Sequence, residues 1–108
     1  MRELPACPVE TTLLMIGEKW KVLILRELLT GTKRFSEIKS AVSGVSQKVL
    51  TQKLREMESD GLITREVFPE VPPRVEYTLT DLGETLRPIL DSMRDWGAEY
   101  QNINKENR

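Results

Sequence analysis

Residues 43–61, SGVSQKVLTQKLREMESDG, hold the pattern on which the fold turns. Ser43 and Gly44 make a turn, and Ser46 is placed to cap a helix over 47–59 that Asp60 and Gly61 bring to an end. Val45 before the cap and Leu50 after it have the N′ and N4 spacing of a hydrophobic staple. Val49, Leu50, Leu54 and Met57 gather on one side at the 3.6-residue period, while Lys48, Thr51, Gln52, Arg55 and Ser59 recur on the other. That outer side is almost free of carboxylates until Glu56. A helix that meets only water mixes its charges for i,i+4 pairing. This one presents hydrogen-bonding forks and cations.

Upstream, Ser36 is placed to cap a short helix ending at Ala41 or Val42, with Glu37 in its first turn. Two helices joined by a tight Gly-containing turn over 36–59 make a helix-turn-helix. Two further helices precede it. Cys7-Pro8-Val9-Glu10 starts one, with Pro where its missing N–H costs nothing and Glu against the dipole. Val9, Leu13 and Ile16 form its apolar stripe and Gly17 ends it. The next, about 18–29, carries Trp20, Leu23, Ile24, Leu25, Leu28 and Leu29, leaves only Lys19, Lys21, Arg26 and Glu27 for water, and stops at Gly31. It is the expected core helix.

Downstream the period changes. Residues 62–68 and 75–79 predict two strands, the second alternating Val75, Tyr77 and Leu79 with Glu76 and Thr78. The intervening Pro69-Glu70-Val71-Pro72-Pro73-Arg74 is too stiff for a helix and too long for a two-residue hairpin, so 62–79 predicts a protruding wing with Arg74 at its tip. A C-terminal helix over about 81–103 places Leu82, Leu86, Ile89, Met93, Trp96, Tyr100 and Ile103 at alternating steps of four and three, a 3.5-residue repeat. So much apolar surface calls for a second chain, and a homodimer is expected; packing against the core is the alternative. Pro88 predicts a kink or restart near Arg87, and the polar tail 102–108 is expected to fray.

Composition narrows the function. A chain of 108 residues builds one core, and 39% apolar with 31% charged residues excludes a disordered chain. Histidine is absent and Cys7 is the only cysteine, which removes the usual zinc ligand sets, Ser/His/Asp or Cys/His catalysis and a CxxC redox pair. The six isolated glycines form no phosphate loop, and pairs such as Glu66 and Glu70 have no nucleophile or cofactor loop to converge with. No catalytic residue, metal or cofactor is therefore expected. A single cysteine suits a reducing cytosol; the longest apolar runs, 13–16 and 22–25, are too short for a membrane, and 1–7 does not resemble a signal peptide, so a cytoplasmic protein is expected.

The formal charge of -1 conceals an asymmetry. Between 33 and 55, Lys33, Arg34, Lys39, Lys48, Lys53 and Arg55 face one acid, Glu37, whereas the remainder holds 10 basic and 16 acidic residues. One surface is basic and the rest acidic.

The element order is that of a winged helix, α+β but mostly α, in one domain over 1–108. Several segments also resemble the HxlR family of bacterial transcription regulators: Cys7-Pro8-Val9, Trp20-Lys21-Val22-Leu23-Ile24-Leu25-Arg26-Glu27-Leu28, Arg34-Phe35-Ser36-Glu37-Ile38 and Val49-Leu50-Thr51-Gln52-Lys53-Leu54-Arg55. So do Asp60-Gly61-Leu62-Ile63, Pro72-Pro73-Arg74-Val75-Glu76-Tyr77 and Leu79-Thr80. The resemblance covers roughly 7–100. It implies a homodimeric DNA-binding regulator, related in architecture to MarR-type proteins, that assembles through its N- and C-terminal helices. Val9 and Leu13 would join Leu86, Ile89, Met93, Trp96, Tyr100 and Ile103 in that interface. It also implies that a cysteine at the position of Cys7 can sense electrophiles, quinones or oxidants, although the second cysteine with which some members form an intersubunit disulfide is missing.

For such a regulator the helix over 47–59 is expected to lie in the major groove. Ser46, Gln47 and Lys48 would enter deepest, and Thr51, Gln52 and Arg55 continue the same face, Arg able to fork to guanine and Gln to adenine. Arg34, Ser36, Lys39 and Lys53 suit phosphates, and Arg74 suits a minor groove unless it is simply a solvated loop residue. Two such helices roughly 34 Å apart would select an inverted repeat. Cys7, at a helix cap where the dipole favours an anion, is either a responsive thiol or a small buried hydrophobe. A small-molecule effector is a further expected partner. The competing expectation is a protein-interaction module, with the basic face meeting an acidic partner and the C-terminal seam building a larger assembly.

Overall fold

The computed structural model describes residues 2–107. Its elements run α1 (Pro8–Ile16), α2 (Lys19–Leu28), β1 (Lys33–Arg34), α3 (Phe35–Ala41), α4 (Gln47–Ser59), β2 (Ile63–Phe68), β3 (Arg74–Leu79), α5 (Asp81–Glu84) and α6 (Arg87–Glu106). This is the expected winged helix-turn-helix, mostly helical with one small antiparallel sheet.

Local chemistry accounts for the helix-turn-helix. Gly44 takes φ 89°, a left-handed backbone that favours glycine, and so reverses the chain between α3 and α4. The Ser46 hydroxyl oxygen then accepts the Val49 N–H at 3.1 Å, while Val45 and Leu50 are both buried as the staple requires. The inner face of α4 supplies Leu50, Leu54 and Met57 to a core shared with Ile24, Leu25 and Leu28 of α2, Ile38 of α3, and Ile63 and Tyr77 of the sheet. Burying each such side chain contributes about 1.5–3 kcal/mol, and that burial holds α4 against α2.

The sheet order is β1-β3-β2, with Ile63 opposite Leu79, Arg65 opposite Tyr77 and Val67 opposite Val75. The two-residue β1, unforeseen in the sequence, pairs Lys33 with Tyr77 and Arg34 with Glu76. It also shifts the start of α3. Arg34 rather than Ser36 occupies the cap position, and the Glu37 carboxylate accepts the Arg34 backbone N–H at 2.8 Å. Ser36 lies inside the first turn.

Lys21, expected in water, is buried on α2 against α4, a second departure from the sequence pattern. The C-terminal segment breaks where Pro88 predicted. The Thr80 hydroxyl oxygen accepts from Gly83 N–H to cap the short α5, and α6 restarts with Pro88 in its first turn. Gly83 has no room for a side chain because a Cβ would collide with the Leu62 carbonyl. Leu86 packs against the core instead of joining the outer seam, and Leu90 is the buried residue of α6. The helix continues through Glu106, past the expected end at 103 and through much of the tail expected to fray; Arg108 lies outside the described residues.

Candidate nucleic-acid interface

The outer face of α4 carries the polar residues in two rows set by the 3.6-residue period. Gln47, Thr51 and Arg55 border a groove of about 330 Å³ between α4 and the sheet, lined also by Phe35, Glu58, Arg65 and Tyr77. Lys48 and Gln52 stand on the other flank, both exposed. Ser46, Gln47 and Lys48 are exposed around the helix start, where free backbone N–H groups face outward. Arg34 and Ser36 line a second groove, about 400 Å³, between the start of α3 and the wing, and Lys39 is exposed on α3.

Ion pairing divides the basic residues in two. Among the described residues, Lys33, Arg34, Lys39, Lys48, Arg55 and Arg65 have no carboxylate within 4.0 Å. All six stand on β1, α3, α4 or β2. Lys21, Lys53, Arg74, Arg87 and Arg94 are each paired. Lys19 on α2 and Lys105 on α6 are unpaired as well, so most of the unneutralised cations among the described residues, though not all, stand around α4, the arrangement a polyanion needs.

Two residues expected to touch DNA are tied to carboxylates. Lys53 turns sideways from α4, and its Nζ lies 3.0 and 3.1 Å from the two Glu18 carboxylate oxygens and 3.7 Å from Glu56. The hydrogen bond to Glu18 holds its ammonium above the ordinary lysine pKa. Glu56 also binds Lys21 at 2.9 Å, and that bond pulls its carboxyl below the usual range. Arg74 is not at the wing tip. It begins β3, donates to Glu76 at 2.9 Å, pairs with Glu70 at 3.3 Å and lies 3.9 Å over the Phe68 ring. The exposed tip from Val71 to Pro73 carries no cation.

Arg65 is the residue the sequence reading passed over. Its signal was the strand alternation: Ile63, Arg65 and Val67 share one face, which brings Arg65 beside Arg55 in the groove.

Cys7 is exposed at the N-cap of α1, not buried as a small hydrophobe. The outer surface of α6 exposes Ile89, Met93, Trp96, Tyr100 and Ile103; Trp96, 70% exposed, stacks on Tyr100 with ring centroids 5.3 Å apart. Val9 and Leu13 on α1 are exposed as well. Among the described residues no helix is long and apolar enough to cross a membrane, and no cluster of three or more metal-ligating side chains occurs.

Comparison with known proteins agrees with this geometry. The family model described as HxlR-like helix-turn-helix matches residues 15–105. The HTH-type transcriptional regulator YdeP of Bacillus subtilis (strain 168) is 51% identical over 96 residues, 89% of this chain and 75% of YdeP. The crystal structure of the HTH-type regulator YtcD superposes with a TM-score of 0.84 at 50% identity, covering 89% of this chain and 98% of that one. The redox regulator HypR matches in its reduced form with a TM-score of 0.86 at 43% identity (93% and 99% covered) and in its oxidized form with 0.81 at 47% (86% and 96% covered).

Proposed function

Since the chain belongs to the HxlR-like helix-turn-helix family, whose members are transcriptional regulators and not enzymes, we propose that it binds duplex DNA as a homodimer, one α4 in each half of an inverted-repeat operator. Gln47, Lys48, Thr51, Gln52 and Arg55 read base edges from the major groove, with Ser46 at its entrance. Arg34, Ser36, Lys39 and Arg65 hold phosphates on either side. The observation that carries this reading is the concentration of unpaired cations around α4, where Lys33, Arg34, Lys39, Lys48, Arg55 and Arg65 stand, while among the described cations elsewhere only Lys19 and Lys105 are not tied to a carboxylate. The second copy covers the apolar seam of α6 together with Val9 and Leu13.

The test is a selection of duplexes retained by the purified protein, followed by salt titration on the selected sequence. An inverted repeat with half-sites roughly 34 Å apart is expected. With about five phosphates neutralised per protomer, the log–log salt slope should be near -9. A nearly flat slope, or retention of acidic proteins in place of duplexes, would replace this reading with a protein-interaction role.

Cys7 supplies the signal input in the same proposal. Support comes from its exposure at the start of α1 and from the likeness to HypR, a redox regulator known in oxidized and reduced forms. Addition of the thiol to a quinone forms one S–C bond and passes the thiol proton to the ring oxygen, so no second cysteine is required. Modified Cys7 shifts α1, alters the dimer and releases DNA. Wild type should release DNA on quinone treatment and Cys7→Ser should retain it; equal responses would exclude Cys7 as the sensor.

A further inference from the structure

The first turn of α2 is tied to the middle of α4 by four alternating charges. Glu18 binds Lys53 (3.0 and 3.1 Å), Lys53 approaches Glu56 (3.7 Å), and Glu56 binds Lys21 (2.9 Å). The Lys21 side chain is 4% exposed and that of Lys53 17% exposed. Burying an ammonium is costly, and a well-packed apolar pair of similar volume often stabilises a fold at least as well. What an apolar pair lacks is direction. The contacts among Ile24, Leu25, Leu50, Leu54 and Met57 are non-directional, whereas carboxylate–ammonium bonds favour one register.

Register matters because of what stands next to the clamp. Gln52 precedes Lys53, and Arg55 precedes Glu56. With side-chain tips about 6 Å from the helix axis, a roll of about 20° displaces them by about 2 Å. That exceeds the spread of hydrogen-bond distances, so a bidentate contact to a base would be lost while a phosphate contact, less demanding in direction, survives.

Resting on the DNA-binding reading above, we propose that Glu18, Lys21, Lys53 and Glu56 are positioning residues that set the register of α4 on α2 and thereby determine sequence discrimination, without themselves touching DNA. The clamp also reaches α1. Glu18 follows Gly17, the residue that ends α1 and whose Cβ position is closed off by the Leu13 carbonyl of that helix.

The experiment compares wild type, Glu18→Gln, Lys53→Met and the double variant Lys21→Met/Glu56→Leu. Each is assayed for affinity to the operator selected by wild type and to a random duplex, across a salt series, with thermal melting alongside. The double variant removes the buried Lys21 ammonium together with its half-exposed partner Glu56 and keeps the site filled, so the fold is expected to be retained. The ratio of operator to random affinity is expected to fall at least tenfold in all three variants, with the random-duplex salt slope unchanged and melting of the double variant equal or higher. If Lys53→Met instead lowers both affinities together and reduces the slope, Lys53 is a phosphate ligand and the proposal fails. It fails equally if melting changes while the ratio does not. Wild type that retains no duplex at low salt would overturn the DNA-binding reading itself, a result distinct from either.

Discussion

The outer faces of α4 and α6 are both exposed, and they are opposites in chemistry. On α4 the apolar residues Leu50, Leu54 and Met57 are turned in and fully buried, and the outside is amide, hydroxyl and cation, with the exposed carboxylate of Glu58 near its C-terminal end. On α6 only Leu90 is buried, and Met93, Trp96, Tyr100 and Ile103 are turned out. The folded chain leaves α4 complete, because its hydrophobic stripe is satisfied and its polar face costs nothing in water. It leaves α6 incomplete, since those side chains are still 46–70% exposed and each gains on the order of 1 kcal/mol from being covered. The proposed dimeric DNA reader requires one face for a polyanion and another for an apolar copy, and the two candidate faces stand on different helices so that neither compromises the other.

Breaking the α6 side of this contrast should have the largest effect. Trp96→Glu puts a charge in the centre of the seam and is expected to give a monomer in sedimentation velocity. Loss of the second half-site then lowers operator affinity by about 10²–10⁴-fold, the range by which linking two sites raises avidity. A Trp96→Glu protein that sediments and binds as wild type would remove α6 from the interface. The α4 side responds differently to an apolar change. Leu54→Ala should lower stability by about 2–5 kcal/mol in chemical denaturation, because it opens a cavity between α2 and α4. Met93→Ala, on the exposed seam, should leave denaturation of the dilute monomer nearly unchanged.

Within the polar face the contrast narrows to single cations. Arg55→Ala should cost about 1–3 kcal/mol at the operator and relax the preference at one base position. Arg65→Ala should weaken operator and random duplexes alike and reduce the salt slope by about 1 per protomer. Interchanged phenotypes in competition gel shifts would reverse the two assignments within the groove they share.

What was legible in the sequence follows the range of the forces involved. The limits of α4 came out at Gln47 and Ser59 because cap, staple and period all act within a few residues. The break before α6 was legible because Pro88 acts on its own helix. The two-residue β1 exists only through β3, more than 40 residues away, and nothing in Lys33-Arg34 signals a strand. Lys21 stood among the polar positions of α2, and its burial depends on Glu56 arriving from another element. Lys53 and Arg74 were counted as free cations for the same reason: Glu18 and Glu76 neutralise them only in the folded chain. Arg65 shows the converse, a cation on an apparently ordinary strand that the register brings to the recognition helix.

The smallest effect expected concerns acid, and it separates the charged side of α4 from its free face. Glu56 is held below the ordinary carboxylate range chiefly by its hydrogen bond from Lys21. A depressed carboxyl contributes stability that is present above its unfolded pKa and is lost as pH falls through the folded one. Wild type should therefore keep its full stability near neutrality and lose this contribution as pH falls below about 4.5, the ordinary value for such a carboxyl. Glu56→Gln keeps the shape and an acceptor for Lys21 but cannot titrate, so its melting temperature should decline less steeply over that interval. The partner group works at the other extreme: the raised pKa of Lys53 means its contribution persists below about 10.5 and disappears only as pH rises through the higher folded value. Parallel acid limbs for wild type and Glu56→Gln would mean that the Lys21–Glu56 pair contributes no proton-linked stability, and that carboxylates elsewhere govern acid unfolding.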